Sequence, residues 1–134
     1  MFLGSYKTYF TGKNRIVLPK KFRRELGNED KFYIVRGLDG EIWGFDHSQW
    51  QKEAGNRLKV PLTEATGRRL RRRFFSQAEE CTLDGQGRFI ISKELIEFAG
   101  IKDQVLLIGA GDHFEIWEPN IWLGFLKQES ESSQ

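Results

Sequence analysis

Most of this 134-residue chain consists of short runs in which apolar and polar residues alternate, each bounded by a turn containing Gly, Asn or Asp. Alternation of this kind is typical of half-buried β-strands. The Asp39-Gly40 pair between two such runs is a strong β-hairpin signal. The pattern predicts strands over residues 4–9, 15–18, 32–36, 41–45, 78–83, 88–91, 104–108 and 114–117.

Short helices are predicted between these strands. Pro19 suits a first helical position, where its missing N–H costs nothing, and Gly27 ends that helix. Ser92 can cap a second helix, which Gly100 ends. Further helices are expected from about residue 46 to 58, from residue 61 through 74, and from 119 through 125, followed by a polar tail over 129–134.

The segment joining the two halves combines an apolar stripe with an arginine cluster. Leu62, Thr66, Leu70 and Phe74 recur every four residues and would share one helix face. Arginines occupy the rest of that helix, at Arg68, Arg69, Arg71, Arg72 and Arg73. The cluster is interpreted as a solvated face, or as one that docks on the acidic second half of the same or a neighbouring chain. Contact with a DNA backbone is the alternative.

The two halves of the chain repeat each other. Residues 9–22 match residues 82–95 at an offset of 73, which aligns Arg15 with Arg88, and residues 31–35 match 104–108 at the same offset. The Glu-Ile-Trp triplets at 41–43 and 115–117 match at an offset of 74. Units of about 50 residues are marginal as independent folds, so we expect the repeats to share one core.

Charge is divided unevenly between the halves. Residues 1–75 hold 17 Lys and Arg against 8 Asp and Glu, whereas residues 76–134 hold 4 against 11. This asymmetry predicts either a polyanion site in the first half or two oppositely charged surfaces that meet. Residues 7–24 contain seven basic residues and no acid, which suits contact with phosphates.

The repeated turns carry the candidate chemistry. In the second copy the Asp84 carboxylate can accept backbone N–H groups and reach the Arg88 guanidinium, while Gly85 and Gly87 allow a tight bend. The result would be a rigid loop that presents Gln86 and Arg88. In the first copy Thr11 can form only a weaker hydroxyl cap, so a more mobile turn is expected. That turn comprises Thr11, Gly12, Lys13, Asn14 and Arg15.

No metal, cofactor or membrane function is indicated. One cysteine, Cys81, cannot form an internal disulfide and is interpreted as a buried strand residue, and two histidines are too few for a zinc cage. His113 is expected to be exposed in a hairpin turn. No apolar run is long enough to cross a bilayer, and the N-terminus lacks the pattern of a signal peptide, so a soluble, cytoplasmic protein is expected.

The turns and their surroundings resemble the MraZ family, whose members carry two tandem AbrB-like repeats. Each family repeat has an Asp-x-x-x-Arg turn, a strand and a helix started by Pro or Ser. Asp84-Gly-Gln-Gly-Arg88 fits this pattern fully, whereas the first turn has Thr11 in place of Asp and Asn14 in place of Gly. The resemblance also covers the opening Met1-Phe-Leu-Gly4, the arginine-rich residues 68–75 and the segment 109–117.

The resemblance implies an α+β, mostly β fold in which two swapped-hairpin AbrB-like repeats form one pseudo-twofold barrel with short helices. The expected organisation is a first repeat over residues 1–58, a helical connector over 59–76, a second repeat over 77–126 and a polar tail over 127–134. Expected DNA contacts are Lys13, Asn14, Arg15, Lys20, Lys21, Gln86 and Arg88. Expected turn-structuring residues are Thr11, Gly12, Asp84, Gly85 and Gly87.

The resemblance further implies a transcriptional regulator in the cytoplasm, associated with the nucleoid. Its expected partner is double-stranded DNA carrying direct repeats upstream of the cell-division and cell-wall gene cluster. It also implies a ring-shaped homo-oligomer, expected to be an octamer, with no cofactor, membrane partner or small-molecule substrate. Because the first turn is the more basic of the two, it is expected to make most of the DNA contact.

Two other classes of function remain open. An enzyme would have to use Gly85-Gln-Gly87 or the loop 109–113, yet neither has phosphate-loop spacing and no Gly-x-Ser-x-Gly motif occurs. Catalysis is therefore not expected. An oligomeric scaffold with a basic face and no sequence-specific DNA binding is the alternative, and in that case Arg15 and Arg88 would only pair with acids.

Overall fold

The computed structural model describes residues 1–132, which form eight strands and five helices. The strands are β1 (Ser5–Tyr9), β2 (Arg15–Val17), β3 (Lys31–Arg36), β4 (Ile42–Phe45), β5 (Glu79–Thr82), β6 (Arg88–Ile90), β7 (Gln104–Gly109) and β8 (Phe114–Trp117). The helices are α1 (Lys20–Glu25), α2 (His47–Leu58), α3 (Ala65–Phe75), α4 (Lys93–Ala99) and α5 (Pro119–Ser132). The mixed α+β class with two repeats is confirmed.

The two repeats interleave their strands in one sheet. Six strands follow the order β1-β7-β8-β4-β3-β5, and every neighbouring pair is antiparallel. The counterparts in the two repeats are β1 and β5, β3 and β7, and β4 and β8. Exchanging each strand for its counterpart gives the same order, read from the opposite edge of the sheet. A separate two-stranded ribbon pairs β2 with β6, one strand from each repeat. Both sheets therefore depend on strands from both halves of the chain.

Strand register follows the same pseudo-twofold relation. Ile16 pairs with Phe89 in the ribbon and Ile42 pairs with Ile116 in the sheet, and each pair consists of matched residues of the two repeats. The β1–β7 register likewise equals the β5–β3 register once the offset of 73 is applied. The axis that relates the repeats therefore passes through these two side-chain pairs.

One face of the six-stranded sheet carries the main core. Phe32, Ile34 and Ile116 point from it toward the ribbon, α1 and α4, and all three are fully buried. Phe22 of α1 and Leu95 of α4 close this layer. The Ser92 hydroxyl accepts the N–H of Leu95, and Gly100 ends α4 in the left-handed conformation, so both predicted signals are confirmed.

The opposite face is covered by α2, α3 and α5. Val35 and Phe45 point to this face, opposite to Phe32 and Ile34, and contact Phe74 of α3. The Trp50 ring stacks between Tyr33 and Phe74, with ring centroids 5.0 Å away on each side. On the second half, Trp122 and Phe125 of α5 pack on the buried Trp117. Trp50 and Trp117 therefore serve packing.

Two expectations about helices were wrong. Leu62 precedes α3 and Thr66 lies in its first turn, and both are exposed. The chain before α3 instead lies against Gly67, where any side chain would overlap the Pro61 carbonyl, so this end of the predicted stripe points away from the core.

Residues 129–132, expected to be a tail, continue α5. Ser133 and Gln134 of that tail lie outside the described residues. The domain boundaries stay predictions.

Within residues 1–132, no helix is long and apolar enough to cross a membrane.

The ribbon pair on the axis is expected to be a main source of stability. Phe89 is 1% exposed and packs edge-on against Phe32 at 4.8 Å, so Phe89→Ala should lower the free energy of unfolding by about 3–5 kcal/mol. Its neighbour Ile90 is 62% exposed, and Ile90→Ala should change that energy by less than about 0.5 kcal/mol. Urea unfolding at one protein concentration measures both. Equal losses in the two variants would contradict the assigned faces of the ribbon.

Candidate nucleic-acid interface

The β2–β6 ribbon presents two arginines on one outward face. Ile16 and Phe89 point inward, and because side chains alternate along a strand, Arg15 and Arg88 must point outward. Arg15 pairs with Ile90 and Arg88 pairs with Val17. The two arginines therefore lie at opposite ends of the ribbon, each directly after its own turn.

In the second turn, Asp84 organises the backbone and the arginine together. Its Oδ1 accepts the N–H groups of Arg88 and Gln86, each at 2.9 Å, and its Oδ2 accepts Nε of Arg88 at 2.8 Å. These hydrogen bonds hold the pKa of the Asp84 carboxyl below its ordinary value, and the bond from the Arg88 backbone N–H has the largest effect. Together they outweigh desolvation, which would raise the pKa. Arg88 is thus aimed by a carboxylate that also offsets its charge.

The first turn keeps the same backbone but holds its arginine differently. Thr11 N–H donates to the Arg15 carbonyl at 2.8 Å, as Asp84 N–H does to Arg88 at 2.9 Å. The Thr11 hydroxyl lies 3.5 Å from the Arg15 carbonyl, a weak contact. Arg15 Nη2 instead donates to the Thr11 carbonyl at 2.8 Å. Arg15 is therefore positioned by a neutral acceptor, and it forms no ion pair within residues 1–132.

Both turns need a left-handed residue at the same place. Asn14 has a φ of 60° and the matched Gly87 has a φ of 75°. Asn tolerates this conformation better than most other residues with a side chain, so Asn14 can replace glycine without changing the path of the turn. Each of these two residues also accepts a hydrogen bond from the other repeat, Asn14 from Ile91 N–H and Gly87 from Leu18 N–H.

Arg23 also contributes to the positive charge near the turns, and the sequence analysis missed it. Its guanidinium lies directly against Gly87, where a Cβ would overlap it. Its Nε is buried and has no hydrogen-bond partner within residues 1–132. The matched position in the second repeat is Ile96, so the repeat pattern gave no signal for this contact. Arg23 places a further positive charge beside the second turn.

The surroundings of the first turn are basic and open. Lys13, Lys20 and Lys21 are exposed, and none of them forms an ion pair in the described part of the chain. Lys20 and Lys21 also lie in the first turn of α1, where cations oppose the helix dipole. These charges therefore do not serve the stability of α1. In the second turn Gln86 is exposed at the tip, and Gly85 has no neighbouring atom within 4 Å.

Two residues considered for reactive roles are held in structural contacts. Burial raises the pKa of the Cys81 thiol to about 12, which confirms its interpretation as a buried strand residue. The expectation of an exposed His113 was wrong, since its ring nitrogens lie 2.7 Å from Asp112 Oδ1 and 3.0 Å from Glu115 Oε2. Burial opposes protonation, but hydrogen bonds to Glu115 and Asp112 outweigh it and raise the pKa of His113.

Within residues 1–132, no cluster of three or more His, Cys, Asp or Glu side chains could hold a metal ion.

The interleaved sheet and the two arginine-bearing turns define a class of two-repeat α+β protein with a basic ribbon on one side. The family model described as "MraZ protein, putative antitoxin-like" matches residues 1–73 and again residues 74–134. The chain therefore belongs to the MraZ family. The resemblance noted in the sequence is confirmed, and each match contains one complete strand-turn-strand-helix-hairpin unit.

Relatives in three bacteria support this assignment. The "Transcriptional regulator MraZ" of Caldicellulosiruptor bescii is 40% identical over 97% of this chain and 90% of its own length. The protein of the same name from Halothermothrix orenii is 39% identical over 98% of this chain and 91% of its own length. That from Clostridium acetobutylicum is also 39% identical, over 93% of this chain and 87% of its own length. The chain thus corresponds to nearly the whole of each relative.

Asp84→Asn should destabilise the protein in a pH-dependent way. The pKa of Asp84 is lower in the folded than in the unfolded state, so the carboxylate's contribution is complete above the ordinary pKa of 3.8 and disappears as pH falls through the lowered value. The difference in unfolding free energy between native and variant protein should therefore be largest at neutral pH and shrink in acid.

Gly85→Ala provides a control in the same turn, because its φ is not positive and nothing lies near the added methyl group. Urea unfolding between neutral and acidic pH measures both variants. If the Asp84→Asn difference were the same at every pH, or Gly85→Ala showed the same profile, the carboxylate would not have the assigned role.

Proposed function

We propose that this protein is a sequence-specific DNA-binding transcriptional regulator whose β2–β6 ribbon reads DNA. The main support for this proposal is that Arg15 and Arg88 share the outward face of a ribbon whose other face is buried. The names of the relatives, each a transcriptional regulator, support the proposal. A two-stranded ribbon fits the major groove of B-DNA, and a guanidinium can bond both O6 and N7 of guanine.

The spacing of the two arginines suits neighbouring bases. They lie two residues apart along the ribbon, which corresponds to about 7 Å at the rise of an extended strand. Successive bases on one strand of DNA are about 3.4 Å apart. One ribbon would therefore span about two base steps, a short site that gains specificity when several copies bind together.

The first turn is proposed to make most of the contact. Arg15 bonds to a neutral carbonyl, whereas Arg88 is paired with the Asp84 carboxylate. Bringing a compensated arginine next to phosphates gains less electrostatic energy than bringing a free one. Lys13, Lys20 and Lys21 would contact phosphates, while Asn14 and Gln86 offer amide groups to base edges. Thr11, Gly12, Gly85 and Gly87 would act by shaping the turns.

Direct repeats upstream of the cell-division and cell-wall gene cluster are the proposed DNA target, read in the cytoplasm at the nucleoid. The interleaved strands support a pseudo-twofold barrel of swapped hairpins as the unit of binding. A closed ring of such units, proposed to be an octamer, would form by head-to-tail contacts. Several ribbons on one ring could then engage successive repeats at high effective concentration.

An oligomeric scaffold is the alternative, and one observation favours it. Helix α5 has no buried residue and exposes Ile121, Leu123 and Leu126 to fractions of 40–61%. Such an apolar surface suits contact with another protein. A regulator that forms a ring and a scaffold would both use this helix for assembly. Only sequence-specific DNA binding therefore distinguishes the two functions.

Fluorescence anisotropy with a labelled duplex gives the primary test of DNA reading. The native protein should bind a duplex carrying direct repeats more tightly than a scrambled duplex, and its affinity should fall steeply with salt as counterions are released. Equal, weak binding to both duplexes that disappears at moderate salt would reject the regulator and favour the scaffold.

Variants of Arg15 and Lys20 should separate base reading from phosphate contact. Arg15→Ala should weaken binding to the repeat duplex by about 1–3 kcal/mol per engaged site, with a much smaller loss on scrambled DNA. Lys20→Ala should weaken both duplexes alike and reduce the salt slope by about one unit. Anisotropy across a salt series measures these effects, and equal losses on matched and scrambled DNA for Arg15→Ala would rule out a base-reading role.

A further inference from the structure

A cleft of about 410 Å³ lies at the end of the β3–β4 hairpin, where α3 approaches α4. It shares no lining residue with either turn or with the β2–β6 ribbon. Its volume falls within the range of about 300–1,000 Å³ that is usual for small-molecule sites. The cleft is therefore separate from the proposed DNA-reading surface and large enough for a ligand of its own.

The lining combines positive charge with apolar rings. Arg36, Arg57 and Arg73 line the cleft beside Leu38 and Leu70, and no carboxylate does. The ring of Phe74 lies 3.8 Å from the Arg57 guanidinium carbon, and that of Phe98 lies 4.6 Å from the corresponding atom of Arg36. Trp43 completes the apolar wall. Arg57 and Trp50 cover the two faces of Phe74, and Arg36 covers one face of Phe98. Trp43, Leu38 and Leu70 therefore remain to contact an aromatic group, and the guanidinium groups suit an anion.

Two of the three arginines lack an acidic partner. Arg57 pairs with Glu53 at 2.9 Å, and this pair with the Phe74 contact fixes its orientation. Arg36 and Arg73 have no ion pair within residues 1–132. Both are exposed at the mouth of the cleft. An anion that reached both of them would offset two charges that the protein itself leaves uncompensated.

Comparison of the repeats indicates that folding does not require this arrangement. Position 36 corresponds to Gly109 in the second repeat, where Phe2 and Leu3 lie directly against the glycine and fill the space. Phe98 corresponds to Glu25, whose carboxylate bonds the N-terminal ammonium group of Met1 at 2.6 Å. The corresponding place thus has no arginine at position 109 and no aromatic ring at position 25, and its smaller opening of about 290 Å³ is lined by the N-terminal segment and α1.

We propose that the cleft binds a small phosphomonoester with an aromatic body. The phosphate lies between Arg36 and Arg73, and the aromatic ring packs on the wall formed by Trp43, Leu38 and Leu70. Because α3 joins the two repeats and packs on β3, such a ligand connects the connector helix to the hairpin. Both reading turns stay free for DNA while the cleft is filled.

Isothermal titration calorimetry of the full-length protein with phenyl phosphate tests the site. The expected dissociation constant is about 1 mM or tighter, and both phenol and inorganic phosphate should bind at least about tenfold more weakly because each lacks one half of the recognised chemistry. Arg36→Gln and Arg73→Gln should each weaken phenyl phosphate binding by about tenfold. Thermal unfolding of each variant confirms that it is folded.

Arg72→Gln is the matched control, because Arg72 is exposed on the same helix but does not line the cleft. Its affinity for phenyl phosphate should stay within about twofold of the native value. An equal loss in Arg72→Gln would mean unspecific attraction to a basic helix and overturn the proposal. No measurable binding by the native protein would overturn it too. Binding that appears only on dilution would show that a second copy of the chain occupies the cleft.

Discussion

The fold depends on strand pairing between the repeats, since neither repeat can satisfy its own backbone. The first strand of each unit pairs with the hairpin of the other, and the short strand after each turn pairs with its counterpart across the axis. At the axis, Ile16 meets Phe89 and Ile42 meets Ile116. A unit on its own would expose unpaired strand edges and half a core. This explains why the two arginine-bearing turns occupy fixed positions relative to each other.

On this shared frame the two turns have diverged in chemistry while keeping their shape. Asp84 gives the second turn three hydrogen bonds, one of which is also an ion pair that neutralises Arg88. Thr11 gives up most of those bonds and leaves the charge of Arg15 free. Each turn is anchored to the other repeat by the same kind of bond, from Ile91 N–H to the Asn14 carbonyl and from Leu18 N–H to the Gly87 carbonyl. Stability resides mainly in one turn and available charge in the other.

Features set by neighbouring residues were predictable from the sequence, and features set by distant contacts were not. Hairpins, caps and the left-handed turn positions follow from local chemistry, as the Ser92 cap and the matched Asn14 and Gly87 illustrate. The expectation of a shared core followed from the small size of each repeat. The contact of Arg23 with Gly87 and the bonding of His113 between two acids depend on tertiary packing. The exposed Leu62 shows that a regular apolar spacing does not decide where a helix begins.

Asymmetry enters the molecule through the helices that cover the outer face of the six-stranded sheet. Trp50 of α2 and Phe74 of α3 cover one half of the outer sheet face, while Trp122 and Phe125 of α5 cover the other. Because the two covers differ, equivalent strand ends meet different neighbours: Gly109 is closed by the N-terminal segment, whereas Arg36 faces a cleft. The repeats thus fix the geometry of the β2–β6 ribbon, and the helices on the outer sheet face give each half of the opposite side a chemistry of its own.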